Sequence, residues 1–191
     1  MSLMLLGILN AQAPGGGGGG PAYDLLETIN VAGGSTTSVA FDSIPQDYSH
    51  LQIRIAAKAV YANNGHFAIK ANFNNSSSQY YQLHRLVGDG SSVSSQAGSS
   101  DTDMWWGYIP TLQASSEGFG TSVVDLLDYS SENKNTTVRV LNGYTNSQKA
   151  SVSLSSSLWQ NTEAITKISF DVDSFPIASG SRFSLYGIKG A

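Results

Sequence analysis

Three histidines, His50, His66 and His84, and fourteen carboxylates are the side chains from which acid–base or metal chemistry could be built in this chain. No histidine stands in H-E-x-x-H or another metal-ligating spacing. His66 opens one alternating run and His84 sits inside another beside Arg85. Those positions suit surface or hydrogen-bonded strand histidines better than ligands. The carboxylates fall in pairs: Asp101 and Asp103 with Asp89 upstream, Asp125 and Asp128, and Asp171 and Asp173. A pair can begin a calcium site or a glycosidase acid and base, but the spacing alone sets no third ligand and no opposed partner. There is no G-x-S-x-G elbow, and the tract Gly15 to Gly20 lacks the G-K-[ST] ending of a phosphate loop. Cysteine is absent, which excludes a thiol nucleophile, a zinc–thiolate site and a disulfide framework. The expectation is no catalytic residue, no metal and no cofactor.

Contact chemistry is better represented. Met104-Trp105-Trp106-Gly107-Tyr108 follows a polar stretch, Gly88 to Asp103, that reads as a long strandless loop. Adjacent tryptophans on a strand point to opposite faces, so one fills a core while the other looks outward. Trp105, Trp106 and Tyr108 are therefore the candidate interface or receptor contacts, by subunit burial or by stacking on a sugar.

The elements that must carry these residues are strands. Leu51, Ile53 and Ile55 alternate with Gln52 and Arg54, and Phe67, Ile69, Ala71 and Phe73 with Ala68, Lys70 and Asn72. Val138, Val140 and Asn142 alternate with Arg139 and Leu141; Val152, Leu154 and Leu158 alternate with serines; Phe183 and Leu185 alternate with Arg182, Ser184 and Tyr186. Turn formers separate the runs, and Asn64-Gly65 reads as a hairpin signal. The one helical candidate is a single turn near Asn161 to Ile165. About ten strands at this spacing predict an all-β, antiparallel two-sheet sandwich of jelly-roll type over residues 23–191, with a closed barrel as the alternative.

Residues 1–22 form a separate arm. An apolar run, Leu3, Leu5, Leu6, Ile8 and Leu9, precedes six glycines bracketed by Pro14 and Pro21. The Ala11-Gln12-Ala13 sequence is shaped like a secretory cleavage site, but no Lys or Arg precedes the apolar run. The five apolar residues are expected to dock on a partner, with the glycines as linker. Charged residues make up 13% of the chain, about half the usual share, and the formal net charge is -4. That balance opposes a nucleic-acid interface built on a basic face, and no run of 18 apolar residues would form a membrane-spanning helix.

Three segments taken together carry a resemblance. They are Tyr23-Asp24-Leu25-Leu26-Glu27-Thr28, Ser43-Ile44-Pro45-Gln46-Asp47-Tyr48-Ser49-His50-Leu51-Gln52-Ile53-Arg54, and the closing Gly180-Ser181-Arg182-Phe183-Ser184-Leu185-Tyr186-Gly187-Ile188-Lys189. With the apolar start and the glycine tract, the chain resembles small virion proteins of tailed bacteriophages. The resemblance implies a non-enzymatic virion component that forms a homo-oligomer, by expectation a trimer. Its arm would dock on baseplate, tail or capsid proteins, and its head would meet a host surface glycan. A short tail fibre or receptor-binding appendage is the leading expectation, because a glycine tether gives reach. A capsid decoration (cement) protein and a secreted carbohydrate-binding β-sandwich are the alternatives.

Overall fold

The structure is a computed structural model that describes residues 22–76, 81–101, 103–111, 118–147 and 149–190. Leu3, Leu5, Leu6, Ile8, Leu9 and the glycine tract lie outside the described residues. Twelve strands follow in order: β1 (Tyr23–Asn30), β2 (Ser38–Phe41), β3 (His50–Ala57), β4 (His66–Phe73), β5 (Tyr81–Gly88), β6 (Val93–Asp101), β7 (Met104–Pro110), β8 (Gly120–Leu127), β9 (Thr136–Thr145), β10 (Ala150–Trp159), β11 (Ile168–Asp171) and β12 (Arg182–Ile188). They form two antiparallel sheets packed as a sandwich. The larger runs β1-β12-β3-β8-β9-β10-β5-β6 and the smaller β2-β11-β4-β7.

Alternation sets the inner faces. Leu51, Ile53 and Ile55 of β3 and Phe183 and Leu185 of β12 point inward from the larger sheet, where they meet Ile69, Ala71 and Phe73 of β4. Aromatic side chains fill the middle: Phe73 meets Trp159 at 5.3 Å, and Phe170 meets Trp106 at 5.1 Å and Phe183 at 5.4 Å between ring centroids. The first two are edge-to-face and the third is tilted, and such ring pairs add to the burial of the rings themselves.

A buried amide locks β7 onto the larger sheet. The Asn142 side chain on β9 accepts a hydrogen bond from the Tyr108 amide at 3.0 Å. Its Nδ2 donates to the carbonyls of Tyr108 and Thr121 and to the Ser122 hydroxyl, each at 3.0 Å. Gly107 makes room for it: its φ is +113°, and a Cβ there would sit 2.3 Å from Asn142 Cγ. Only glycine meets both demands.

Three sequence expectations are corrected. The stretch after Gly88 is not strandless, because Val93–Asp101 pairs with β5 from Gly88↔Val93 to Tyr81↔Asp101. Pairing along a sheet edge supplies what a Ser/Gly-rich segment lacks in β-propensity. Asn64-Gly65 closes no hairpin; it lies in the crossover from β3 in one sheet to β4 in the other. On β10 the faces are exchanged. Ser153, Ser155 and Ser157 point inward, their hydroxyls without a hydrogen-bond partner among the described residues, while Val152 and Leu154 face outward. There the larger sheet runs towards the margin of the small one, whose edge strand is β7.

Candidate binding cleft

The inner overhang of β9, β10 and β5 and the edge strand β7 enclose a cleft of about 400 Å³. The break in alternation at Gly107 turns Tyr108 to the same side as Trp105, and with His66 at the start of β4 and Tyr144 on β9 it forms an aromatic side. The His66 ring lies 4.6 Å from Tyr108 and 5.1 Å from Tyr144, and the two tyrosines are 6.2 Å apart, centroid to centroid. Two hairpin turns supply the polar rim. Asp89 and Ser91 come from the β5–β6 turn, and Lys149 and Ser151 from the end of the β9–β10 hairpin.

Each turn is preorganised by its own residues. One Asp89 carboxylate oxygen accepts from the Ser91 amide at 3.0 Å and the Ser92 amide at 2.7 Å, and both serine hydroxyls also donate to the carboxylate. These four donors hold the Asp89 carboxyl down to about 2. In the second turn the Lys149 amide donates to the Asn146 side chain at 2.8 Å, and the Asn146 amide to the Lys149 carbonyl at 2.7 Å. Burial and the nearby Lys149 ammonium both lower the His66 pKa, so its imidazole is neutral at pH 7. Burial and neighbouring Tyr108 raise the Tyr144 phenol.

Of the expected contacts, Tyr108 lines the cleft and Trp105 stands beside it, 5.1 Å away between centroids. Trp106 is the exception: it is fully buried in the core, because it takes the inward position of the pair. Arg85 covers Trp105, its guanidinium 4.5 Å from the ring, and donates to the Tyr108 hydroxyl at 3.4 Å and to Gln96. His66, Tyr144, Arg85, Asp89 and Lys149 were not legible as one group. They come from three strands and two turns, and no local spacing links them.

The carboxylate pairs noted in the sequence do not gather at one place. Asp89 sits at the turn of the β5–β6 hairpin and Asp101 at its opposite end, so seven residue steps of strand, about 23 Å, separate them. Asp103 and Asp171 instead lie near Lys70, whose ammonium is 2.7 Å from Asp173. That ammonium takes the position a bound cation would need. Burial first, then the charges of Asp103 and Asp173, raise the Asp171 pKa. His50 Nδ1 accepts from the Asp128 amide at 3.0 Å, a structural role. His84 lies on the outer face of the larger sheet. Among the described residues no three His, Asp or Glu side chains group so as to hold a metal ion.

The cleft combines ring faces, hydroxyls, a neutral imidazole and one ammonium. This set can stack on and hydrogen-bond a polyhydroxylated ligand. Family models, curated proteins and solved structures compared with this chain give no match.

Proposed function

We propose that this chain is a non-enzymatic structural component of a tailed-phage particle, a short tail fibre or receptor-binding appendage. Its head meets a host surface glycan through the cleft bounded by His66, Tyr108, Tyr144 and Lys149. Leu3, Leu5, Leu6, Ile8 and Leu9 dock it to the particle, and the head assembles as a homotrimer. The observation that carries the reading is the aromatic cleft with a preorganised polar rim. Strand order supports a jelly-roll head. With β5, β6, β9 and β10 set aside, β1-β12-β3-β8 faces β2-β11-β4-β7, the interleaving that two nested Greek keys produce. Such heads occur in capsid and lectin domains alike.

One observation favours capsid decoration as a second reading. The outer face of the larger sheet carries exposed Val123, Leu141, Leu154 and Leu86 side by side, a surface that a capsid neighbour could cover. Quantitative mass spectrometry of purified particles separates the two. A few copies per hundred major capsid subunits is the expected result. Near-equal copy number would make the chain a cement protein, and absence from the particle would return it to the secreted carbohydrate-binding reading.

A further inference from the structure

A continuous apolar row crosses the outer face of the larger sheet. Val123 on β8 pairs directly with Leu141 on β9, Leu141 with Leu154 on β10, and Leu154 with Leu86 on β5. All four are between 38% and 55% exposed. Directly opposed side chains on neighbouring strands touch, so the row is unbroken over three strand spacings, about 14 Å. The next row on the same face adds Val152 and Val93, with Gly143 and Gly88 between and beside them. No charged side chain interrupts these two rows from β9 to β5. The face is also hollow: a groove of about 620 Å³ runs over Leu86, Leu154, Ala97 and His84, with Arg139 at its margin. A contiguous exposed apolar surface on a soluble domain marks an interaction site.

We propose that the occupant of this groove is the amino-terminal segment of the same chain, Leu3 to Leu9. The chemistry matches, since the segment is apolar at positions 3, 5, 6, 8 and 9 and residues 1–22 contain no charged side chain. The length also matches. The level of Tyr23 on β1 corresponds to His50 on β3, and the apolar row lies at the level of Arg54. Four residue steps along the strands and three to six strand spacings across give a path of roughly 20 to 32 Å from Tyr23 to the row. The thirteen residues from 10 to 22 span up to about 45 Å when extended, with a root-mean-square reach of about 20 Å for a glycine-rich chain. A segment tethered within reach of its site competes at an effective concentration in the millimolar range. For a monomeric head a second copy must reach that concentration in bulk, so the same-chain contact wins in dilute solution. The inference concerns the isolated protein and stands or falls separately from the virion reading.

The absence of cysteine makes the test direct. Ser2→Cys introduces the only thiol, and a nitroxide attached to it reports which methyl groups the segment approaches. In the full-length chain, the methyl signals of Leu86, Leu141, Leu154 and Val152 should be lost, equally so after tenfold dilution. Leu141→Lys and Leu154→Lys, both at exposed positions, should restore the signals of Leu86 and Val152. A second sample mixes spin-labelled chain of natural isotope abundance with isotope-labelled chain lacking the thiol. Signal loss in that mixture would assign the groove to the arm of another copy and overturn the same-chain contact. Intact methyl signals in both samples would overturn the proposal altogether.

Discussion

Asn142 shows how much one side chain carries in a sandwich whose sheets share few polar contacts. Its amide is buried and satisfies Tyr108, Thr121 and Ser122 at once. Replacing it with alanine takes that partner from the Tyr108 amide and from the Tyr108 and Thr121 carbonyls, at roughly 1–3 kcal/mol each where no water enters, while the Ser122 hydroxyl keeps its bond to the Trp106 carbonyl. Asn142→Ala should therefore cost about 3 kcal/mol, seen as a Tm lower by roughly 6–12 °C in thermal unfolding. Gly107→Ala should be at least as damaging, because both its φ and the contact with Asn142 forbid a Cβ. Asp171 has the opposite character. Burial and two like charges raise its pKa in the folded protein. A carboxyl with a raised folded pKa favours folding below its unfolded value and opposes it once pH rises through the folded value. Asp171→Asn should thus stabilise the protein at pH 7 by about 0.5 kcal/mol, or 1–2 °C in Tm, after allowance for solvent screening. Below about pH 3.5 the gain should vanish, because both forms are then neutral. An equal gain at pH 3 would show that charge is not the cause.

At the scale of elements, the two hairpins β5–β6 and β9–β10 build the cleft, and the Asp89 turn is the part that pH can open. Four hydrogen bonds to serines depress that carboxyl to about 2. The turn contribution is complete above the ordinary carboxylate range and is lost as pH falls towards 2. Amide exchange at Ser91 and Ser92 should therefore accelerate between about pH 4 and pH 2, more steeply than at Ser131 in the β8–β9 turn. Asp89→Asn should remove that pH step. The hairpins also mark where the sequence was readable. Strands β3, β4, β9 and β12 were legible because both sheets cover their inner faces, so alternation reports burial. On β10 the same rule pointed the wrong way. Val152 and Leu154 alternate with serines as core residues would, yet their side of the strand is outer. Alternation identifies a strand but not which face is covered, and the overhang beyond the small sheet is a property of strand order. Strand β6 was missed for a related reason: only its pairing with β5 makes Val93–Asp101 a strand. The opposite sides of the tryptophan pair were legible, with Trp106 in the core, but not the cover of Arg85 over Trp105, and the grouping of His66, Tyr144 and Lys149 required the strand order.

For the molecule as a whole, the decisive question is whether the cleft binds strongly by itself or only in many copies. A site of about 400 Å³ with one ammonium and a few hydroxyls supports modest affinity at a single head. Many heads on one particle convert such contacts into avidity gains of roughly 10²–10⁴ without any new contact. Lys149 is the residue to vary, because its side chain is exposed and its backbone, not its ammonium, holds the β9–β10 turn. Lys149→Ala should leave the unfolding midpoint within about 0.5 kcal/mol of the parent. On an array of bacterial surface glycans, the same substitution should weaken binding by a single head about tenfold, the loss of one charge-assisted hydrogen bond. Displayed in many copies, both proteins should bind more tightly, and the variant's deficit should widen, since each engaged head carries its own tenfold loss. If the variant and the parent bind every glycan alike in both formats, the proposed receptor role of the cleft fails. A deficit of about tenfold at a single head that grows with the number of heads engaged is what a receptor cleft with individually weak contacts requires.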